Sequence, residues 1–394
     1  MNKDWSHERR INMNRVCFIF RTPPMCNDDK KFLLHKIAEK KIEIDVVDIS
    51  VVNNEGINEL ITQKRLDVPY INVITIKEKI ELDRYIYDNY KNTFFFPMFD
   101  DYYEVRWVYK LFSKYHVKYG YVNNLVADFD VGIVNNSVNL RRMSLKHLFK
   151  AFYNRVGRKM LPYKNAEFIC LGTDTAEQTF LKRGRCGKET KKVYTHTLDY
   201  ERYCDAKQYD NGGLQYCVFI DQYIPYHPDN ILDNGIRVNP DEYYRELNEI
   251  FNLIKQKFGY EVIIAAHPRS DYSNKKCFDG IKIEYGKTPE LIKGAKMVLG
   301  HFSTSLCLTS MTNAPMVIIC PKSFDVSVFF IKLCKAFIDL LGGKLVKSVD
   351  DINDIGLEID SKKYMKFRNK YLLCDNQNNG SIWDEAMEII TNNH

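Results

Sequence analysis

Three short apolar runs in the second half of the chain, each ending in a polar cluster, restrict the fold more than any other feature. Tyr216 to Ile220 (YCVFI) runs into Asp221-Gln222, and Glu261 to Ala266 (EVIIAA) runs into His267-Pro268-Arg269. Met297 to Leu299 runs into Gly300-His301-Phe302-Ser303-Thr304-Ser305. Unbroken apolar runs of this length read as strands buried on both faces, and the helical stretches between them predict a parallel, doubly wound α/β sheet. Ligands of such sheets bind just beyond the carboxyl ends of the strands. Polar clusters at successive strand ends therefore predict one binding edge.

The chemistry expected at that edge is the holding of an anion. Ser303, Thr304 and Ser305 stand where a helix should begin, so hydroxyls and free backbone N–H groups converge there and the helix dipole adds positive charge. His267 and Arg269, at the tip of a neighbouring strand, add donors, and Pro268 stiffens their turn. Taken singly, the serines read as a helix cap and His267-Pro268 as a strand end. Taken together in this order, they read as a phosphate site.

The order strand-Asp-Gln, strand-His-Pro, strand-Ser/Thr-Ser, followed by Asn313-Ala314-Pro315 and the apolar run Met316 to Cys320, resembles bacterial surface-polysaccharide glycosyltransferases of the GT-B fold. It is most similar to sialyltransferases, polysialyltransferases and Kdo transferases, which use CMP-activated sugars. The resemblance covers Tyr216 to Pro321 well and the N-terminal half poorly. It implies that His267 and the hydroxyls of Ser303, Thr304 and Ser305 hold the donor phosphate, with Gln222 facing the donor. Enzymes that transfer glycerol phosphate from CDP-glycerol in teichoic-acid synthesis look similar here, so the motif fixes a nucleotide phosphate better than it fixes the sugar. In GT-B enzymes the base and ribose lie near the turn between the next short strand, Ile281 to Tyr285, and the helix begun by Thr288-Pro289-Glu290, which makes Glu284, Tyr285 and Glu290 secondary candidates.

A chain of 394 residues predicts two domains of ordinary size. With 45% hydrophobic and 27% dispersed charged residues it reads as a folded protein, and no long apolar run suggests a membrane span. The start, MNKDWSHERR, lacks the apolar core of a secretory signal, which predicts a cytoplasmic protein. The 11 cysteines are scattered, several inside predicted strands, and neither a disulfide framework nor zinc spacing is visible. No structural metal and no cofactor are expected besides the nucleotide sugar as co-substrate. The net charge of +6 is mild and spread out, and does not point to nucleic acid.

In the first half, Arg15 to Phe20, a helix at about 29–39 and Ile42 to Asp48 give a strand-helix-strand alternation. No GxGxxG or P-loop follows the first strand, which excludes the usual NAD enzymes and P-loop kinases. Thr93 to Phe99 ends in Asp100-Asp101. An inverting sugar transfer needs a base for the acceptor hydroxyl, and the resemblance places it in a D/E-D/E-Gly motif of the N-terminal domain. No intact triplet exists. Asp100-Asp101 has the better position at a strand end, Asp128-Phe129-Asp130-Val131-Gly132 is a stretched version, and Asp28-Asp29 is a third option. Helix capping or solvation is the competing role for each pair.

Between Leu140 and Leu161, Met143, Leu145, Leu148, Phe149, Phe152 and Val156 recur at helical spacing among arginines and lysines. Such a helix either packs its apolar face on the sheet or lies on an anionic membrane. Lys207 to Gly213 is a turn-rich break, which puts the domain boundary at about 210. The last helix, 381–393, is of the kind that GT-B proteins send back to the first domain.

The expectation is therefore an α/β, GT-B-like protein with two Rossmann-like doubly wound domains facing across a cleft, an acceptor domain at 1–210 and a donor domain at 211–394. The expected activity is metal-independent, inverting transfer of a sialic-acid-like nonulosonate or Kdo from a CMP-activated donor to a bacterial capsule or lipopolysaccharide glycan, free or lipid-linked. The expected catalytic set is Asp100, Asp101, Asp128, Asp130 and His267. The nucleotide-binding set is Gln222, His267, Pro268, Arg269, Tyr285, Glu290, His301, Ser303, Thr304 and Ser305. Polyol-phosphate transfer and a non-catalytic scaffold are the alternatives.

Overall fold

The computed structural model describes residues 13–53, 64–123, 161–172, 184–227, 230, 236–273, 275, 277–373 and 381–392. Asp128, Asp130 and the basic segment 140–160 lie outside them. The chain forms two compact units, one made of 1–125, 138–198 and 376–394, the other of 126–137 and 199–375.

The first unit carries β1 (Arg15–Phe20), β2 (Glu43–Asp48), β3 (Ile71–Thr75), β4 (Thr93–Pro97), β5 (Gly120–Asn123), β6 (Phe168–Leu171) and β7 (Lys191–Tyr194). They lie in the orders β3-β2-β1-β4 and β5-β6-β7, every pair parallel. A parallel bridge from Phe95 to Tyr119 links β4 to the second set. β1 and β4 are buried almost throughout, as expected of strands covered on both faces.

The helix expected at 29–39 is two short ones, Asp28–Phe32 and His35–Ala38. Leu33 separates them at φ 53°, closing the first helix with its N–H on the Asp29 carbonyl, and this turn lets Leu33, Leu34 and Ile37 all reach the core. The last helix, Ile382–Asn392, belongs to this unit: Trp383 lies edge-on to Phe18 and Phe96, and its Nε1–H donates to the Phe32 carbonyl at 2.7 Å.

The second unit carries β8 (Tyr216–Ile220), β9 (Glu261–Ala266), β10 (Lys282–Tyr285), β11 (Met297–Gly300), β12 (Met316–Ile319) and β13 (Lys344–Val346) in the order β10-β9-β8-β11-β12-β13, all parallel. The order starts in the middle, runs out to one side, then reverses, so the switch point falls between β8 and β11. Helix Pro240–Phe258 is defined by its ends: the Asn239 side chain accepts from the N–H groups of Asp241 and Glu242, Pro240 opens the first turn, and Gly259 stops the helix at φ 69°. Tyr243, Leu247, Ile250, Phe251 and Ile254 recur on its buried face, as the spacing predicts. Among the described residues no helix is long and apolar enough to cross a membrane.

Candidate functional site

Register decides which side chains can meet. Ile220 of β8 is level with Ala265 of β9 and with Gly300 of β11, and Ala266 is level with Tyr285 of β10. Asp221-Gln222, His267-Pro268-Arg269, Phe302-Ser303 and the turn after Tyr285 therefore leave one edge side by side, with about 5 Å between neighbouring strands.

Asp221 organises this edge from below. Its side chain is buried, its Oδ1 accepts the Tyr223 N–H at 2.8 Å, and its Oδ2 accepts the Tyr272 hydroxyl at 2.8 Å and the His267 N–H at 3.2 Å. Burial pushes this carboxyl upward in pKa, and the bonds to Tyr223, Tyr272 and His267 oppose the shift. The turn it closes holds Tyr223 at φ 53°, a left-handed conformation that a bulky residue rarely adopts. Sequence reasoning placed Asp221 at this edge, directly after a buried strand, but gave it no role, and nothing in the sequence marked Tyr272.

His267 is oriented by the turn that follows it. Its Nδ1 accepts the Arg269 N–H at 3.1 Å, and its carbonyl accepts both the N–H and the hydroxyl of Ser270. A ring nitrogen that accepts an N–H carries no proton, so the neutral ring bears its hydrogen on Nε2. The ring of His227 packs edge-to-face on it with centroids 4.9 Å apart. Pro268 and Arg269 are exposed beside it.

Across the switch point, the Oε1 of Gln222 accepts the Phe302 N–H at 3.0 Å, which pins the β11 loop to β8. Ser303 then caps the segment Thr304–Met311, its Oγ accepting the Ser305 N–H at 3.3 Å. This segment is a 3-10 helix, not the α-helix expected. Hydroxyls within and just after it bond back by three residues, Ser310 to the Cys307 carbonyl and Thr312 to the Thr309 carbonyl, in keeping with the tighter winding. Thr304 is exposed, and Ser303 and Ser305 are half-buried.

His301 does not belong to the site. It is fully buried, with Nε2 bonded to the Tyr243 hydroxyl at 2.8 Å and Nδ1 to the Ile319 carbonyl at 2.5 Å, which occupies both ring nitrogens. Desolvation pushes its pKa down to about 4. It is a neutral core histidine, and its Tyr243 partner, on a helix 58 residues away, could not be read from the local sequence.

Tyr285 is 46% exposed at the end of β10. Burial pushes its phenol upward in pKa, and interactions with the Tyr272 backbone and the Ser270 side chain oppose the shift. Glu290 sits in the first turn of helix Thr288–Gly294 with its Oε2 buried and unpartnered, an acceptor that a hydroxyl would satisfy. Glu284 is held in place from two sides: one oxygen accepts the Tyr209 hydroxyl at 2.5 Å and the other pairs with Lys287 at 2.9 Å.

In the first unit the two adjacent aspartates at the end of β4 have opposite fates. Asp101 is fully buried between two arginines, its Oδ1 2.8 Å from Arg106 Nε and its Oδ2 2.8 Å from Arg185 Nε, so its catalytic assignment is corrected to a structural ion triad. Asp100 is half-buried and accepts the Tyr102 hydroxyl at 2.9 Å, and the Arg21 guanidinium lies 5.4 Å over the Tyr102 ring. Asp28 caps its own turn, accepting the Met25 N–H. Among the described residues no group of three or more His, Cys, Asp or Glu side chains is placed to hold a metal ion.

Solved structures are similar to this chain over nearly its whole length. The wall teichoic acid polymerase TagF shares 10% identity, with 97% of this chain and 89% of that chain covered and a TM-score of 0.54. A variant of that polymerase with CDPG gives 9%, 98%, 89% and 0.53 for the same measures. A putative UDP-N-acetylglucosamine 2-epimerase from Listeria monocytogenes gives 10% identity, 96% of either chain and 0.52. At these identities the likeness is one of fold: the chain is an α/β, GT-B-like protein of two Rossmann-like units. No family model and no curated protein matches the sequence.

Proposed function

We propose that this protein is a glycosyltransferase that binds a nucleotide-activated donor at the β8, β9 and β11 edge of its second unit. The observation that carries this reading is the brace of Asp221 on the His267 backbone and of Gln222 on the Phe302 backbone. It fixes the His267 turn and a capped, hydroxyl-rich first turn at the switch point of one sheet. Such donors in a partly desolvated edge suit a phosphate that gains charge as it leaves.

The donor of this reading is a CMP-activated nonulosonate or Kdo, and the acceptor a bacterial capsule or lipopolysaccharide glycan, free or lipid-linked. The bond from the sugar to the CMP oxygen breaks while the acceptor oxygen bonds to the same carbon. His267, Arg269 and the hydroxyls of Ser303 to Ser305 stabilise the departing phosphate, and the Glu290 carboxylate takes the ribose hydroxyls. The acceptor proton goes to a carboxylate, for which Asp100 is the described candidate, and the outcome is inverting and independent of metal.

A second reading is transfer of glycerol phosphate from a CDP-polyol, supported by the fold likeness to TagF and by the CDPG complex of that protein. Thermal-shift titration with CMP, CDP, UDP and GDP identifies the nucleotide class. Release of CMP is then measured from CMP-sugars and from CDP-glycerol. Turnover of the former supports the first reading, turnover of the latter only the second, and nucleotide binding without either a scaffold. An unchanged nucleotide response in His267→Ala would remove the site itself.

A further inference from the structure

We infer that His227 is a positioning residue of the anion edge, which holds the ring of His267 in one orientation by packing against it. The two rings meet edge-to-face, with centroids 4.9 Å apart and planes at 73°. Aromatic pairs prefer this arrangement at separations of about 4.5 to 7 Å. A histidine in a loop is ordinarily solvated, whereas His227 is half-buried, and its loop is built to present it.

That loop is the turn after β8. Tyr223 opens it at φ 53°, and the 3-10 turn Ile224–Tyr226 follows and ends on His227. Three hydrogen bonds set its course. The Tyr223 N–H donates to Asp221 Oδ1 at 2.8 Å, the Asn230 side chain donates to the Ile224 carbonyl at 3.2 Å, and the Asn230 N–H donates to the His227 carbonyl at 3.1 Å. Rings fill in around it: Tyr223 and Tyr226 lie 5.2 Å apart, Tyr272 stands at right angles to Tyr223 at 5.4 Å, and the Lys275 ammonium lies over both Tyr223 and Tyr226. Asp221 therefore holds both histidine turns, Oδ1 the turn that carries His227 and Oδ2 the N–H of His267. One buried carboxylate fixes their spacing.

His267 gains from such a partner. The outer torsion of a histidine is soft and roughly two-fold, so the bond from the Arg269 N–H to its Nδ1 leaves the ring able to tilt. A second ring packed across it takes that freedom away. A donor held before its ligand arrives binds with less loss of side-chain entropy. That the ring so held serves a nucleotide phosphate rests on the proposed function; the packing itself does not.

The test uses the full chain isotope-labelled at its histidines and followed by nuclear magnetic resonance, with the His267 ring signals identified by their loss in His267→Gln. The wild type is expected to show one set of these signals, with the hydrogen on Nε2. His227→Phe keeps a ring without either nitrogen and should preserve that set, whereas His227→Ala should give broadened or averaged signals of both tautomers. Affinity for the best bound of CMP, CDP, UDP and GDP, read by calorimetry, should fall about tenfold in His227→Ala and stay within about twofold of wild type in His227→Phe. Unfolding midpoints without nucleotide should agree among the three proteins. An unaltered His267 ring or an unaltered nucleotide affinity in His227→Ala overturns the inference. So does a loss in His227→Phe as large as in His227→Ala, which would make the His227 nitrogens ligands in their own right. If the wild type binds none of the four nucleotides while the contrast between the ring signals holds, the donor reading falls and the positioning of His267 stands.

Discussion

Gln222 holds the backbone N–H of Phe302 on its Oε1 at 3.0 Å, and this bond spans the switch point of the second sheet. It sets where the Ser303 turn begins relative to β8. Gln222→Ala should cost about 1 kcal/mol of stability by denaturant unfolding and weaken nucleotide binding by about tenfold. Gln222→Glu keeps the acceptor oxygen, so its stability should remain near wild type, while the added negative charge repels a phosphate and binding falls at least as far. Equal nucleotide affinity in both variants would remove Gln222 from the site.

The division of labour between Asp221 and His267 yields a second contrast. Asp221 carries three hydrogen bonds in a buried position, so Asp221→Ala leaves the Tyr272 hydroxyl and two backbone N–H groups without their partner and should destabilise by about 3 kcal/mol. The His267 backbone, by contrast, is held by groups other than its own ring. His267→Ala should therefore unfold within about 0.5 kcal/mol of wild type and lose the thermal stabilisation by nucleotide. Comparable destabilisation in both variants would make His267 a structural residue.

The sheet framework was legible because buried parallel strands are unbroken apolar runs, and each of Tyr216–Ile220, Glu261–Ala266 and Pro240–Phe258 has bounds that its end residues announce. That the polar clusters share one sheet edge was legible for the same reason, since residues just past a strand end leave that edge whatever the loops do. What the sequence hid were partners distant along the chain. Nothing in FDD distinguishes Asp100 from Asp101, because the difference is supplied by Arg106 one helical turn on and by Arg185 far beyond. His301 looked like a member of a polar cluster, but its side chain is buried in a core completed by Tyr243 and Ile319. The acidic pair at Asp128 and Asp130 lies outside the described residues.

The two aspartates after β4 separate chemistry from stability. Asp101→Asn removes charge from a buried triad and leaves Arg106 and Arg185 uncompensated, which should cost about 3 to 5 kcal/mol. Asp100→Asn keeps the bond from the Tyr102 hydroxyl and should leave the unfolding midpoint near that of wild type. If Asp100 takes the acceptor proton, the same variant should lose turnover by about a hundredfold or more with donor binding intact. Full activity in Asp100→Asn would move the base elsewhere.

The last helix should be indispensable to the first unit. Trp383 is fully buried, packs against Phe18 and Phe96, and donates to the Phe32 carbonyl. Trp383→Ala is expected to cost about 3 to 5 kcal/mol, and Trp383→Phe less, because the ring is largely kept and only the N–H is lost. Denaturant unfolding followed through tryptophan-independent circular dichroism reads both, and an unchanged midpoint in Trp383→Ala would show that the helix is not part of that core.

Acid should loosen the second unit through His301. In the unfolded chain this ring binds a proton near pH 6.5, whereas in the folded core it resists protonation down to about 4 because charge would be buried without water. Between these values the unfolded state holds more protons than the folded state, so stability falls as pH drops from 6.5 towards 4 and is fully present above 6.5. The span corresponds to about 3 kcal/mol if the whole shift is realised. His301→Gln cannot titrate and keeps a donor and an acceptor for Tyr243 and Ile319, so it should be less stable than wild type at pH 7.5. The gap should narrow steadily as the pH is lowered to 4.5. Urea midpoints for both proteins across that range decide the matter, and a constant gap would show that His301 is not the group whose burial couples the fold to acid.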